Sequence, residues 1–196
     1  DAVWNGQGSD EKWSTAGNWV DGGVPNSIDW LKFTGSANVF NTNDMGEMVF
    51  QGIGFEDDSG PFVISGDASL AAPAWTNLSE KIQTFALPAV ASSSRTTVHT
   101  IGDFVFDGGL SGSSAYEIVK SGRGKMVVKS ASWSGRLLLE EGEVGFSGFS
   151  SSSCSAIIAR FSSSITFALS KYFLKASLFG SDMNETVFLY FEYFIQ

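Results

Sequence analysis

Short apolar runs, each closed by turn residues, dominate the sequence from residue 1 to about residue 149. Apolar and polar residues alternate within the runs, which is typical of strands that bury one face, and Gly, Asn, Asp, Ser or Pro ends each run. No stretch of this region has helical spacing with caps. The pattern therefore predicts an all-β fold. The expected strands are residues 28–33, 47–55, 61–64, 98–106, 116–120, 125–129 and 137–146.

Residues 111–146 show the most regular spacing of turns. Ser-Gly pairs occur at Ser111-Gly112, Ser121-Gly122 and Ser134-Gly135, with apolar strands between them. A β-solenoid turns its chain at such glycine-rich corners and buries one face of each strand against the turns above and below. We therefore predict a β-solenoid, with a β-sandwich as the alternative. The residues expected in its inward stack are Ile118, Met126, Val128, Leu137 and Leu139.

The charge balance excludes some classes of partner. Twenty-one acidic against 12 basic residues give a formal net charge of −9, so the chain lacks the positive surface that holds a phosphate backbone. We expect no nucleic-acid partner. The most apolar region, residues 156–179, carries Arg160, Lys171 and Lys175, which is unlike a membrane-spanning helix. The chain is therefore predicted not to span a membrane.

Two features bear on the cellular compartment. The opening Asp1-Ala2-Val3-Trp4 is typical of a mature chain after removal of a signal peptide, which predicts an extracellular or cell-surface protein. Cys154 is the only cysteine, so an intramolecular disulfide is excluded. Two interpretations stay open for Cys154: a half-buried small residue, or a thiol that pairs between chains.

Two parts of the chain resemble a known bacterial repeat and its surroundings. Residues 117–128, Glu-Ile-Val-Lys-Ser-Gly-Arg-Gly-Lys-Met-Val-Val, combine a strand, a lysine, a turn with Gly-x-Gly and a second strand; Trp133-Ser134-Gly135 and Glu141-Gly142-Glu143-Val144 follow. This order resembles the autotransporter-associated β-strand repeat. The opening, with Trp4-Asn5-Gly6, Trp13 and Trp19, is similar to what precedes such repeats in large exported bacterial proteins.

The resemblance implies a right-handed β-helix of the passenger type, and a Trp-rich N-terminal cap would seal its first turn. It also implies that the repeat carries no catalytic residues and that the family has no single activity. Only one clear copy is legible, and the likeness stops after Phe149. We therefore expect a β-solenoid domain with its cap at 1–149, and a Ser-rich connection with an apolar β tail at 150–196.

The end of the chain is unusually apolar. Residues 186–195 read as a strand that is apolar on both faces, so it must be covered within the protein or by a neighbouring subunit. Two interpretations stay open: a capping strand or hairpin that closes the solenoid, or an assembly element that adds a strand to another copy. The residues of this candidate assembly strand are Val187, Leu189, Phe191, Tyr193 and Ile195.

Reactive side chains are sparse. His99 is the only histidine and has no serine or cysteine motif beside it, so a catalytic triad is not indicated. The acidic run at Glu56-Asp57-Asp58 is typical of a solvated turn, and Asn41-Thr42-Asn43-Asp44 lacks a known calcium-loop pattern. We expect no catalytic residue, no cofactor and no metal. Trp75 is kept as a candidate for stacking on glycans.

Together these observations predict a secreted structural or adhesive protein that serves as a β-solenoid building block. Assembly into filaments or layers by strand addition is one of the two interpretations left open for its last strand. Self-association, other surface proteins and glycans are the expected partners. The alternative is a carbohydrate-binding β domain, and an enzyme is not expected.

Overall fold

The computed structural model describes residues 1–132, 135–146, 157–160 and 186–189. These residues contain twenty short β-strands and two three-residue 3-10 helices, Ala16–Asn18 and Val20–Gly22. The strands form three sheets that wind around one axis as a right-handed β-helix of about five turns. The predicted fold class is confirmed. Within the described ranges, no helix is long and apolar enough to cross a membrane.

Each complete turn contributes one strand to each sheet, and the first sheet has further strands at both ends. The first sheet contains, in spatial order, β1 (Ala2–Trp4), β2 (Trp30–Phe33), β5 (Gly52–Phe55), β8 (Ala74–Asn77), β11 (Arg95–Thr100), β14 (Glu117–Ser121), β17 (Arg136–Leu139), β19 (Ile157–Arg160) and β20 (Thr186–Leu189). The second contains β3 (Phe40–Thr42), β6 (Val63–Ser65), β9 (Gln83–Phe85), β12 (Phe104–Phe106), β15 (Lys125–Val128) and β18 (Glu143–Phe146). The third contains β4 (Met48–Val49), β7 (Leu70–Ala72), β10 (Ala89–Ala91), β13 (Leu110–Gly112) and β16 (Ala131–Ser132).

Neighbouring turns are held in a strict parallel register. Leu31 lies opposite Ile53, and Ile53 lies opposite Trp75, so the first turns repeat every 22 residues. The side-chain period of a strand is two, so this register sends the same alternate positions inward in every turn. The inward positions of β17, Leu137 and Leu139, extend the column beyond β14.

The interior is one continuous apolar column in which aromatic rings stack across turns. The rings of Phe85 and Phe104 lie 5.2 Å apart at 7° to each other, and those of Phe104 and Phe106 lie 5.1 Å apart at 13°. Each such side chain contributes roughly 1.5–3 kcal/mol when it leaves water. All five residues predicted for the inward stack are buried, which confirms that assignment: Ile118, Met126, Val128, Leu137 and Leu139.

Corners divide three of the predicted strands, which corrects the sequence assignment. Residues 98–106 form β11 and β12, with Gly102 at the corner between them, and residues 137–146 likewise form β17 and β18 around Gly142. Residues 47–55 form β4 and β5. At Gly142 the backbone φ is +84°, and a Cβ would lie 2.4 Å from the Gly122 carbonyl oxygen of the preceding turn. The corner therefore requires glycine.

A tryptophan-rich cap closes the first turn, as expected. The side chains of Trp4, Trp13 and Trp19 are at most 2% exposed, and their rings meet edge to face, with centroids 5.1 Å apart for Trp4 and Trp19. The cap also covers two open sheet edges. Strand β1 pairs with β2 in the first sheet, and Lys12 forms a parallel bridge to Thr42 at the edge of the second.

The indole nitrogens of the cap all have partners, so their burial leaves no polar group unpaired. Trp13 Nε1 donates to Asn41 Oδ1 at 2.7 Å, and Trp19 Nε1 donates to the carbonyl of Trp13 at 2.7 Å. Trp4 Nε1 donates to the carbonyl of Ala37 at 3.3 Å. These bonds fix the cap to the first turn.

Among the described residues, the second sheet ends at β18 and the third at β16, whereas the first continues into β19 and β20. β19 extends the sheet in parallel beside β17, and β20 reverses direction to pair antiparallel with β19. Residues that were expected to belong to the tail thus add to the solenoid's first sheet. The division of the chain at residue 149 stays a prediction.

Two phenylalanines of the second sheet provide a matched test of the core. Phe85 is fully buried and Phe40 is 68% exposed. We expect Phe85→Ala to lower the free energy of unfolding by about 3–5 kcal/mol, because it opens a cavity in the column. Phe40→Ala should change it by no more than about 0.5 kcal/mol. Urea denaturation followed by far-UV circular dichroism measures both, and equal losses would contradict the assigned column.

Candidate functional site

The candidate assembly strand lies only in part within the described residues. Val187 and Leu189 belong to β20, and their backbones pair with Ala159 and Ile157 of the same chain. Phe191, Tyr193 and Ile195 lie outside the described residues, as does Cys154. The described part of the strand therefore pairs antiparallel with β19 of the same chain, and the choice between a closing strand and an assembly strand stays open.

Trp75 is a core residue, which corrects its assignment as a glycan-stacking residue. Its side chain is fully buried, and its Nε1 donates to the carbonyl of Ala72 at 3.0 Å. The indole ring meets Phe85 and Phe106 edge to face, with centroids 5.1 and 5.4 Å away. Trp75 lies inward because the register places it opposite Ile53. A ring enclosed in this way offers no face to a sugar.

The carboxylates do not converge on one point. Asp58 accepts hydrogen bonds from the hydroxyl of Thr34 on an exposed turn, and Asp107 pairs with Lys129. Asp103 accepts the backbone N–H of Lys125 at 3.0 Å. Among the described residues, no three His, Cys, Asp or Glu side chains lie close enough together to hold a metal ion. The carboxylates named here have separate surface partners.

The asparagine-rich stretch beside the cap is occupied by protein contacts. Asn41 accepts the indole N–H of Trp13, and Asn43 donates to the carbonyl of Gly46 at 2.8 Å. Asp44 accepts the backbone N–H and the hydroxyl of Ser14, at 3.0 and 2.6 Å. These side chains fix loops to one another, and they do not point their oxygens at a common centre.

His99 lies in β11, as predicted from its strand context. Its ring Nδ1 and the hydroxyl of Ser121 in the next turn are 3.0 Å apart. No cysteine or further histidine accompanies it among the described residues, since Cys154 lies outside them and the sequence has one histidine. The pair is therefore a hydrogen-bonded contact between adjacent turns on the outer face.

Lys120 is the one fully buried charged side chain in the described part of the chain. It takes an inward position of β14, opposite Val98 on one side and Leu139 on the other. Its ammonium group donates hydrogen bonds to the carbonyl oxygens of Ser121 at 2.8 Å, Gly122 at 2.6 Å and Glu141 at 3.2 Å. Lys120 thus ties the corner of its own turn to the corner of the next one.

Burial lowers the pKa of Lys120 to about 8, although the carboxylates of Glu141 and Asp103 favour the charged form. An amine with this pKa has nucleophilic character near neutral pH when solvent or substrate can reach it. Lys120 is not reachable, because its side chain has no exposed surface. The structure therefore assigns it a role in the corner, and sequence reasoning had recognised only its place in the repeat motif.

A groove beside the cap is the candidate binding surface of the described structure. It has a volume of about 430 Å³ and lies where the cap, the loop before β3 and the outer face of the second sheet meet. Phe40 forms one wall, and it is the only exposed aromatic side chain among the described residues. The other main lining residues are Glu11, Ser36, Asn38, Thr42 and Ser65.

Hydrogen bonds to the neighbouring turn and to the cap hold the groove on two sides. The hydroxyls of Thr42 and Ser65 are 3.0 Å apart, and that of Ser65 donates to the carbonyl of Asn41. Asn38 has a positive φ of 47° and donates from Nδ2 to the carbonyls of Gly6 at 3.1 Å and Asp10 at 3.2 Å. These bonds join the loop before β3 to the cap, so the groove has fixed walls.

Sequence reasoning missed this groove for a physical reason. Phe40 opens a strand of only three residues, which is too short to show an alternating pattern. Its outward direction follows from its register opposite Val63. The one available signal was the surrounding Asn38-Val39-Phe40-Asn41-Thr42, an aromatic residue among polar ones.

No protein-family model matches the chain, and no curated protein or solved structure shows significant similarity to it.

The buried amine of Lys120 predicts a pH dependence of stability. Its pKa is about 8 in the native chain, against 10.5 for a lysine that is free in water, as in the unfolded chain. Between these values the unfolded chain binds a proton that the native chain has released, so stability rises with pH. Relative to a Lys120→Met variant, the native chain should gain roughly 3 kcal/mol across that interval.

Urea denaturation at several pH values between about 7.5 and 10.5 measures this difference. Lys129→Met is the control, because Lys129 lies on the surface with a side chain that is 51% exposed. Its stability difference from the native chain should change little over the same interval. A difference between the native chain and Lys120→Met that stays flat with pH would contradict a buried, partly desolvated amine.

Proposed function

We propose that this chain is a structural and adhesive module of an exported protein, a rigid β-solenoid whose function depends on its shape and its outer surface. The observation that supports this most directly is the single apolar cluster that runs through the interior from Ala2 to Val144. Packing of this kind makes the described turns a rigid scaffold in which each turn is held by its neighbours.

The distribution of polar groups supports the same proposal. Enzyme sites bring titratable groups together in a cleft, whereas the carboxylates described above lie on separate turns and have separate partners. The groove beside Phe40 is a surface feature with a single carboxylate, that of Glu11. It is suited to binding more than to bond cleavage. We therefore propose a module with a structural and a binding role, and no reaction is assigned to it.

We further propose that the chain assembles with other copies by strand addition at the end of the first sheet. β20 is the last described strand of that sheet, and within the described residues only β19 pairs with it. Its other edge presents backbone N–H and C=O groups that a strand of a second copy can pair with. The candidate assembly strand from Val187 to Ile195 begins in β20.

The cellular location is part of the proposal. The resemblance of residues 117–128 to the autotransporter-associated repeat supports export to the cell surface or the medium. At the surface, an acidic chain with a net charge of −9 repels anionic membranes. Other copies of the chain, other surface proteins and glycans are the partners that fit this location.

Electron microscopy of the purified chain, together with sedimentation velocity at several concentrations, tests the assembly. We expect filaments or layers whose abundance increases with concentration. Removal of residues 186–196 should leave dispersed monomers, because the added strand is lost. A native chain that stays monomeric at all concentrations would contradict assembly by strand addition.

Point variants distinguish the loss of strand pairing at the edge of β20 from a general loss of folding. Leu189→Lys places a charge on the terminal strand, which opposes edge-to-edge pairing, and it should suppress assembly. Ile82→Lys is the matched control, because Ile82 is 52% exposed and precedes β9, far along the chain from β20. Both variants should keep the circular dichroism spectrum of the native chain. Equal suppression by both would point to a general surface effect and would refute the assigned edge.

A further inference from the structure

The groove beside the cap combines an aromatic platform with unpaired polar groups. The ring of Phe40 is 68% exposed. In the described part of the chain, the carboxylate of Glu11 and the hydroxyl of Ser36 have no hydrogen-bond partner, while Asn38 uses its Nδ2 and leaves its amide oxygen open. An exposed apolar face next to acceptors and a hydroxyl matches the chemistry of a pyranose ring, which has an apolar C–H face and a rim of hydroxyls.

The backbone of the groove is preorganised, so a ligand would order little of the main chain on binding. Two backbone hydrogen bonds hold the loop before β3 from the side of the second turn. The N–H of Gly60 donates to the carbonyl of Gly35 at 2.7 Å, and the N–H of Val63 donates to the carbonyl of Val39 at 2.7 Å. The indole of Trp4 holds Ala37 from the side of the cap. Fixed walls reduce the entropic cost of binding, which matters for ligands with weak individual contacts.

Other ligand classes fit the groove less well. A stable protein interface buries about 800 Å² on each partner around an apolar centre, whereas here only Phe40 and Val39 offer apolar surface. A calcium ion takes six to eight oxygen ligands, and Glu11 is the only carboxylate. A polyanion would meet both Glu11 and a net charge of −9. The volume of about 430 Å³ lies within the usual range of small-ligand sites, about 300–1,000 Å³.

We infer that this groove is a binding subsite for a neutral, β-linked glycan, with Phe40 stacking on a sugar ring and Glu11, Ser36 and Asn38 binding its hydroxyls. β-Linked glucose or N-acetylglucosamine units fit best, because their equatorial substituents leave the ring face flat for stacking. The inference rests on the adhesive function proposed above, and it names the class of ligand and the residues that hold it. The stacking residue is thus Phe40 at the surface, in place of the buried Trp75.

Isothermal titration of the whole chain with cellohexaose, chitohexaose and hexagalacturonate tests the site. We expect at least one neutral oligomer to bind with a Kd below about 1 mM, and the acidic oligomer to bind at least about tenfold more weakly. Failure of both neutral oligomers to bind would overturn the inference. Equal binding of the acidic oligomer would overturn the assignment of a neutral ligand.

Variants locate the binding. Phe40→Ala should weaken it by about tenfold or more, and Ser36→Ala should weaken it by a smaller factor. Ile82→Ala is the control, since it removes an exposed apolar side chain outside the groove and should leave the Kd unchanged. Native affinity in Phe40→Ala would overturn the site, because the glycan would then bind elsewhere.

The same preparations are scored for assembly by electron microscopy, so the two proposals fail separately. Filaments in a chain that binds no glycan would overturn only the assignment of the groove as a glycan-binding subsite. Glycan binding that Phe40→Ala abolishes, in a chain that never assembles, would overturn strand addition and support the groove.

Discussion

The parallel register between successive turns is the constraint on which the rest of this structure depends. Because Leu31, Ile53 and Trp75 lie opposite one another, every second residue of each strand joins one column. Slipping one strand by a single residue would send its apolar side chains to solvent and its polar ones into the interior. The same register stacks the corners of successive turns on one another. Their backbones approach so closely at Gly142 that only glycine fits there.

Both ends of such a column have to be covered, because each end of a solenoid is an open sheet edge beside an exposed core. At the start, the three cap tryptophans cover the apolar end, while β1 and the bridge at Lys12 occupy two of the sheet edges. At the other end of the first sheet, β20 runs antiparallel to β19. The described residues thus show aromatic surface at one end and antiparallel backbone pairing at the other end of the first sheet.

Polar residues in the interior mark the places where turns are joined. The ammonium of Lys120 binds three carbonyl oxygens at the corner, and the side chain of Ser59 binds the carbonyl of Phe33 one turn earlier at 2.7 Å. The Lys120 contacts satisfy backbone carbonyls at a change of direction, whereas the Phe33 carbonyl also accepts the backbone N–H of Glu56 at 3.0 Å. The same joining of cap, loop and turn fixes the walls of the groove beside Phe40. The proposed binding surface is therefore a consequence of how the first turn is sealed.

The sequence by itself determined the all-β class, the solenoid, the inward residues from Ile118 to Leu139 and the role of the cap tryptophans, because alternation and glycine spacing act through local backbone preferences. Tertiary structure decided what depends on contacts between turns. It split residues 98–106 and 137–146 at corners, since a continuous apolar pattern does not record a change of sheet. It also placed Trp75 inside, against the expectation from sequence, and Phe40 outside, because register between turns sets the direction of a side chain in so short a strand.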